Sequence, residues 1–217
     1  MKNSELERKK LVEYLSGTYL KNPEIKKAFL EIKRENFLPK KYAEYAYADN
    51  ALPIEHGQTI SQPSTIAIML ELLEAKKGMT ILEIGSGFGY VQALLSKIVG
   101  ENGNVFGIEY IKELAEQSKK NLTTEGITNS EIKSGDGSIG WEEKAPFDRV
   151  LFSCACPFIP KPVFDQLKEN GRIVAPTGDI HTQRMEIMKK IRGKMLKEYY
   201  EDSMFNFVPL RGKNGFQ

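Results

Sequence analysis

Residues 80–90 constrain the fold more than any other segment, because an apolar run passes directly into three closely spaced glycines. Gly85, Gly87 and Gly89 alternate with other residues after that run. Glycine permits positive φ, and the missing Cβ lets backbone N–H groups come close to a bound ligand. The third glycine comes one residue too early for the dinucleotide fingerprint G-x-G-x-x-G. The segment therefore predicts a buried strand that ends in a nucleotide-binding turn of another kind.

Two further strand ends are predicted to meet this turn. Residues 104–108 predict the next strand, which ends at Glu109, about 20 residues after Gly89, where a doubly wound fold places an acid on ribose hydroxyls. Residues 131–134 predict a third strand, which ends at Gly135-Asp136-Gly137. Taken alone, Glu109 is more typical of a solvated acid at a helix start, and Gly135-Asp136-Gly137 is more typical of a plain turn. Together with the glycines, they predict a crevice for a nucleoside-type cofactor.

Strand-like and helix-like patterns alternate after residue 80, which predicts a mostly parallel sheet covered on both faces. The predicted strands are residues 80–84, 104–108, 131–134, 147–153 and 171–176, and the predicted helices lie near residues 91–99, 112–125 and 161–168. Strand patterns also occur at residues 185–191, 194–200 and 205–210, with a hairpin turn at Arg192-Gly193. The sequence therefore predicts an α/β, Rossmann-like fold with a doubly wound sheet and an antiparallel C-terminal edge.

Two helices are predicted before this sheet. Asn3 or Ser4 can cap the first, and Asn22 followed by Pro23 marks the start of the second. A chain of 217 residues suits a single α/β domain. We expect residues 1–62 to form an N-terminal helical extension with a substrate loop, and residues 63–217 to form the main domain of one compact unit.

Charge and apolar content exclude several classes of function. The 31 basic residues nearly balance the 29 acidic residues, so no basic footprint for nucleic acid is predicted. No apolar stretch resembles a signal peptide or a membrane span, so we expect a cytoplasmic protein without a membrane partner. A zinc site would need ligands beyond Cys154 and Cys156, and His56 and His181 lie in unrelated contexts, so no metal is predicted.

The two cysteines lie two residues apart in an apolar, strand-like stretch, which would place both thiols on one face of a strand. We interpret Cys154 and Cys156 as small buried core residues of a protein in a reducing compartment. A redox-sensitive or catalytic role is the alternative.

The segment Gly57-Gln58-Thr59-Ile60-Ser61-Gln62 precedes a proline that can open a helix. Its two hydroxyls and their backbone amides are typical of an anion-binding loop. The alternative is an ordinary capping turn, in which Ser61 serves the helix that follows.

At this point the sequence resembles the protein-L-isoaspartate O-methyltransferase family. The spacing E-x-G-x-G-x-G, from Glu83 to Gly89, is shared with other S-adenosylmethionine-dependent methyltransferases, whereas residues 57–63 are specific to this family. The other matching segments are residues 51–54, 135–137, 145–150, 171–176 and 207–210. The resemblance covers roughly residues 37–210.

The resemblance implies methyl transfer from S-adenosylmethionine to the free carboxyl group of L-isoaspartyl residues, in the repair of damaged proteins and peptides. It implies that Thr59 and Ser61 face the acceptor carboxylate, with Ser61 at the position usually called the active site. The implied cofactor residues are Glu83, Gly85, Ser86, Gly87 and Gly89 at the turn, Glu109 at the ribose, and Asp136 with Gly137 at the adenine. We expect Gln58, Ile60 and Val208 to contact an extended peptide substrate.

Several residues depart from the family pattern near the expected acceptor pocket. They are Glu55, Ser64, the run Ser153-Cys154-Ala155-Cys156, and Arg211. A methyltransferase with another acceptor, or a cofactor-binding protein without activity, is therefore an alternative. An acceptor carboxylate is already ionised at neutral pH, so His56 is interpreted as a loop residue rather than a catalytic base.

Overall fold

Seven strands form the central sheet within residues 4–216, which are the residues that the computed structural model describes, apart from the side chains of residues 201–203. Two short strands, β1 (Leu52–Pro53) and β2 (Thr59–Ile60), form a separate sheet. The seven strands of the central sheet are β3 (Thr80–Ile84), β4 (Asn104–Glu109), β5 (Ser130–Ser134), β6 (Phe147–Phe152), β7 (Leu167–Gly178), β8 (Gln183–Ile191) and β9 (Lys194–Phe205). The central order is β5-β4-β3-β6-β7-β8-β9, in which β8 pairs antiparallel with both β7 and β9, and all other pairs are parallel. The predicted α/β sheet with an antiparallel C-terminal edge is confirmed.

The helices begin where the sequence signals predict. They are α1 (Ser4–Thr18), α2 (Pro23–Glu31), α3 (Pro63–Leu73), α4 (Tyr90–Val99), α5 (Lys112–Thr124) and α6 (Lys161–Asp165). The side chain of Asn22 accepts a hydrogen bond of 2.8 Å from the amide of Glu24, which caps α2. Asn3, the other residue proposed to cap the first helix, lies outside the described residues. Within residues 4–216, no helix has both the length and the apolar content needed to cross a bilayer.

The N-terminal helices share one hydrophobic core with α3, α4 and one face of the sheet. Leu15 of α1 and Phe29 of α2 are buried in the same cluster as Ile81 of β3. The ring of Phe29 meets the ring of Tyr90 edge to face, with 6.3 Å between centroids. Alternate strand residues such as Leu82 face a second cluster on the other side of the sheet. Residues before and after residue 62 share this cluster, and the division proposed at residue 62 stays a prediction.

The helix predicted at residues 161–168 is shorter than expected. α6 ends at Asp165, and β7 already begins at Leu167. The amide of Phe147 donates a hydrogen bond of 2.9 Å to the carbonyl of Gln166, and Phe147 pairs with Leu167. Pairing with β6 therefore takes over the backbone groups that a longer helix would use.

The strand predicted at residues 205–210 is wrong. β9 continues to Phe205, and the following residues leave the sheet and cross the end of β6. The amide of Ala155 donates to the carbonyl of Val208 (2.9 Å), and the amide of Leu210 donates to the carbonyl of Ala155 (2.7 Å). These two bonds flank Pro209 and form a single parallel bridge between Pro209 and Ala155.

The shared strand face predicted for the cysteines is also wrong, because β6 ends at Phe152. Its neighbour β3 ends at Ile84, so β6 loses that partner and the chain turns toward the tail and β7. The amide of Cys156 then donates to the carbonyl of Pro176 (2.9 Å). Cys154 and Cys156 are nevertheless buried and unpaired.

Candidate functional site

A crevice of about 550 Å³ opens at the carboxyl ends of the parallel strands, where open α/β sheets bind ligands. The predicted residues that line it are Gly85 and Gly87 after β3, Glu109 at the end of β4, Gly137 after β5, Gln58 and Thr59 before α3, and Val208 in the tail. The fold thus brings together the three strand ends that the sequence analysis expected to converge.

The glycine turn, residues 85–89, forms one side of the crevice. Gly85 and Gly89 have φ values of +85° and +89°, in the region that favours glycine, and Gly89 immediately precedes α4. The amide of Gly85 donates a hydrogen bond of 2.8 Å to the carbonyl of Ile108, which ties the turn to β4. A Cβ atom added to Gly85 would lie 3.2 Å from the Sγ atom of Cys154. Space and conformation both select glycine at this position.

Gly85→Ala is expected to lower the free energy of unfolding by roughly 1–2 kcal/mol for the left-handed backbone, and further because the methyl group meets Cys154. Gly126→Ala is the matched control, because Gly126 has φ +69° and no atom within 4 Å of its ideal Cβ. Urea unfolding of both variants measures the difference. Equal losses would contradict crowding by Cys154.

Glu109 is a structural anchor of the crevice as well as its predicted ribose residue. Its carboxylate accepts a hydrogen bond from the amide of Gly87 (2.8 Å) and one from the amide of Ile111 (2.9 Å). The side chain is buried, so the alternative of a solvated acid at a helix start is wrong. Glu109 therefore joins the glycine turn to the beginning of α5.

Glu83 lies behind the turn and is fully buried. Its Oε1 atom accepts a hydrogen bond of 2.7 Å from the hydroxyl of Ser153, whereas its Oε2 atom has no partner among the described residues. Burial raises the pKa of Glu83 to about 8; the hydrogen bond from Ser153 opposes this shift, and the charge of Glu109 adds to it. Glu83, Ser86 and Ile60 line a second cavity of about 340 Å³ beside the crevice.

The turn after β5 is held by the C-terminal tail. Gly137 lines the crevice, but the carboxylate of Asp136 accepts hydrogen bonds from the amides of Ser138 and Lys213, each of 2.8 Å. Burial works to raise the pKa of Asp136, and these hydrogen bonds bring it below its ordinary value. The side chain predicted to contact adenine therefore also fastens residues 212–216 over the turn.

A third cavity, of about 670 Å³, lies on the other side of Thr59 and contains Ser61 in its wall. The hydroxyl of Ser61 makes no hydrogen bond within residues 4–216. The amide of Ser64 at the start of α3 is capped by Asp49 instead, at 2.8 Å. The alternative in which Ser61 caps α3 is therefore wrong, and its hydroxyl is available to a ligand.

Arg34 holds the loop that carries Ser61, and sequence analysis missed it. This side chain is fully buried, and it donates hydrogen bonds to the carbonyls of Ser61 (2.9 Å) and Asn50 (3.2 Å). Its guanidinium lies 5.6 Å from the centre of the Tyr90 ring. Burial lowers the pKa of Arg34 to about 10, in spite of the charge of Asp49. No local signal distinguishes Arg34 from the many solvated basic residues.

Ser153 is a second residue of the candidate site that the sequence patterns did not predict. It lines the crevice and both neighbouring cavities, as Thr59 does. Its hydroxyl contacts Glu83, which lies 70 positions away in the sequence. Ser153 therefore lies between the crevice and the two neighbouring cavities.

The residues that depart from the family pattern differ in position. Ser64 and Cys156 are buried, whereas Glu55 is exposed. Cys154 and Arg211 line the crevice itself. Burial raises the pKa of Cys154 well above its ordinary value, so its thiol stays neutral. His56 is exposed, with a φ of 58°.

Comparison with known proteins identifies relatives of this arrangement. Residues 6–215 match the family model described as Protein-L-isoaspartate(D-aspartate) O-methyltransferase (PCMT). Protein-L-isoaspartate O-methyltransferase 2 of Archaeoglobus fulgidus is 41% identical over 210 residues, which cover 97% of this chain and 95% of the relative.

Two solved structures share the fold over almost the whole chain. One, a protein-L-isoaspartate O-methyltransferase, is 36% identical with a TM-score of 0.87, covering 95% of this chain and 66% of the solved chain. The other is a putative protein-L-isoaspartate O-methyltransferase from Plasmodium falciparum in complex with S-adenosyl-L-homocysteine. It is 25% identical with a TM-score of 0.82, covering 94% of this chain and 98% of the solved chain. The similarity therefore extends through the glycine turn, the loop with Ser61 and the tail.

Proposed function

We propose that this chain, which belongs to the protein-L-isoaspartate(D-aspartate) O-methyltransferase family, transfers a methyl group from S-adenosylmethionine to the free carboxyl group of L-isoaspartyl residues in damaged proteins and peptides. One observation carries the proposal. Thr59 and Ser153 line both the crevice of the glycine turn and the cavity that contains Ser61. A methyl donor in the crevice and an acceptor in the cavity would therefore lie next to each other, beside Thr59 and Ser153.

The crevice has the chemistry that this cofactor needs. The glycine turn leaves room beside the ends of the strands, Glu109 lies at the end of β4, and Oε2 of the buried Glu83 has no partner among the described residues. A positively charged ligand suits an acid without a partner. When bound, S-adenosylmethionine supplies an electrophilic methyl group on a positively charged sulfur. We propose that Glu83, Gly85, Ser86, Gly87, Gly89, Glu109, Asp136 and Gly137 form its binding site.

The protein is proposed to act by positioning rather than by acid–base catalysis. The acceptor carboxylate is ionised at neutral pH, so no proton has to be removed. Alignment of two reactants can remove on the order of 7–11 kcal/mol of barrier, whereas one hydrogen bond to a charged group contributes roughly 1.5–3 kcal/mol. The hydroxyls of Thr59 and Ser61 would donate to the carboxylate and orient it, while the walls of the cavity exclude water.

The peptide around the isoaspartyl residue is proposed to lie along the loop and the tail. Gln58 and Val208 both line the crevice, and Val208 also lines the cavity with Ser61. Ile60 is buried in β2, which pairs with β1. Backbone groups at such edges can bind an extended chain without selecting its side chains, which suits a substrate defined by damage. A cytoplasmic location is also proposed, because the buried, unpaired cysteines fit a reducing compartment.

Ser61→Ala is expected to lower kcat/KM for an isoaspartyl peptide roughly ten- to a hundredfold, because one hydrogen bond to the charged acceptor is lost. Thermal unfolding should stay close to that of the parent protein, since the Ser61 hydroxyl bonds no described residue. The aspartyl twin of the peptide should accept no methyl group. Ser16→Ala, which removes a hydroxyl on α1, is the control. Wild-type turnover of Ser61→Ala would contradict the role of this hydroxyl, and transfer to neither peptide would contradict the proposed acceptor.

A further inference from the structure

Glu83 has an environment that the proposed positioning roles do not explain. Its carboxyl group is fully buried, and within the described part of the chain only one of its two oxygens has a partner, the hydroxyl of Ser153. The other oxygen is buried without a hydrogen bond beside the cavity that Thr59 and Ser61 also line. A negative charge in such a place is strongly disfavoured unless an opposite charge compensates it.

No such charge comes from the side chains around this cavity. No lysine or arginine of the described chain is among the residues that line it. Glu109 approaches from β4 with a like charge, the thiol of Cys154 follows β6, and the phenol of Tyr90 lies at the start of α4. Burial raises the pKa values of both Cys154 and Tyr90, so both groups are neutral. Arg34 faces the ring of Tyr90 and bonds backbone carbonyls.

We propose that Glu83 is protonated in the free enzyme and loses its proton when the positively charged cofactor binds, so that cofactor binding releases a proton to solvent. The step breaks the carboxyl O–H bond, the proton passes to the buffer, and the carboxylate remains as the counter-ion of the cofactor. This inference rests on the cofactor half of the proposed function and is independent of the acceptor.

The magnitudes make the release measurable near neutral pH. Burial raises the pKa of Glu83 to about 8, so roughly nine-tenths of free molecules carry this proton at pH 7. An opposite charge within a few ångström lowers the pKa of a carboxyl by about 1–3. We therefore expect roughly 0.4–0.9 proton to leave per cofactor bound at pH 7, and little to leave below about pH 4 or above about pH 9.

Isothermal titration calorimetry with S-adenosylmethionine tests this without any methyl acceptor. Titrations in two buffers of different ionisation enthalpy give the number of protons released per cofactor bound. Glu83→Gln should bind the cofactor with no release. Cys156→Ala, which removes a buried titratable thiol that does not line the crevice, should release as many protons as the parent protein.

Ser153→Ala gives a second, independent result if Glu83→Gln does not fold. The hydroxyl of Ser153 lowers the pKa of Glu83, so its loss should move the pH of maximal release upward. Binding by the parent protein without proton release, or equal release by Glu83→Gln, would overturn the proposal. Proton release on cofactor binding by a protein that methylates no isoaspartyl peptide would support this inference and reject only the proposed acceptor. Absence of cofactor binding would reject both.

Discussion

Arg34→Met is expected to reduce kcat/KM for an isoaspartyl peptide more than tenfold while changing the free energy of unfolding by less than roughly 2 kcal/mol. Two effects on stability oppose each other. The carbonyls of Ser61 and Asn50 lose their donor, which costs roughly 1–3 kcal/mol each if they stay buried without a partner. A buried guanidinium without a salt bridge to any described residue disappears, and removing such a charge is often favourable by a similar amount.

The value of kcat/KM should only fall, because the backbone of Ser61 loses the hydrogen bond that holds it in place. Displacement of a positioned group by about 1 Å can cost on the order of a hundredfold in rate. The affinity for S-adenosylmethionine should remain close to the parent value, since Arg34 does not line the crevice. Steady-state kinetics, cofactor titration and urea unfolding measure the three quantities separately.

Arg149→Met is the matched control for this substitution. Arg149 is also a buried arginine that donates to backbone carbonyls, those of Leu73 and Asp148, but Leu73 ends α3, whereas Ser61 precedes the start of that helix. Its loss should leave kcat/KM almost unchanged in the folded protein. If Arg149→Met slowed transfer as much as Arg34→Met, general loosening of the core would explain both variants.

The cofactor side of the site could be predicted because its signals are local. The glycines after β3, the acid at the end of β4 and the turn after β5 each follow a strand whose apolar pattern is visible in the sequence. Parallel strands then bring their carboxyl ends to one edge, whatever the details of packing. The convergence of Gly85, Glu109 and Gly137 on one crevice follows from these rules and is confirmed.

The acceptor side depends on contacts that no local pattern reveals. Arg34 lies 27 positions from Ser61, Asp49 lies 15 from Ser64, and Ser153 lies 70 from Glu83. Arginine is mostly exposed in proteins, so a basic residue in a charged N-terminal region predicts a solvated side chain. The capping role considered for Ser61 failed for the same reason, because a distant aspartate had already satisfied the helix.

The tail departs from expectation for a related reason. Its alternating pattern at residues 205–210 is typical of a strand, but such a pattern cannot tell pairing within a sheet from a single bridge across it. Pro209 and the bonds to Ala155 carry the chain over the crevice instead. Lys213 then reaches Asp136, 77 positions earlier in the sequence. The C-terminal residues thereby become part of the site rather than of the sheet edge.

Glu83→Gln is expected to make the cofactor-free protein increasingly more stable than the parent as the pH rises from 5 to 8. The pKa of Glu83 is raised from 4.5 to about 8 in the fold, chiefly by burial. Below pH 4.5 both the folded and the unfolded chain carry the proton, and protonated Glu83 makes its full contribution to the free energy of unfolding. Between the two values only the unfolded chain releases the proton, so the parent protein loses about 1.4 kcal/mol per pH unit relative to a glutamine that does not titrate.

Over the three pH units from 5 to 8, the gap between the two proteins should widen by roughly 4 kcal/mol. Urea unfolding of both proteins at each pH measures this gap in the free energy of unfolding. The contributions of all other titrating groups are the same in both proteins and cancel in the difference. Saturating S-adenosylmethionine should narrow the gap at pH 8, because the ligand stabilises the ionised carboxyl that only the parent protein possesses. A gap that stays constant with pH would mean that Glu83 ionises in the fold as it does in the unfolded chain, and the buried oxygen without a partner would then need a bound water or ion to explain it.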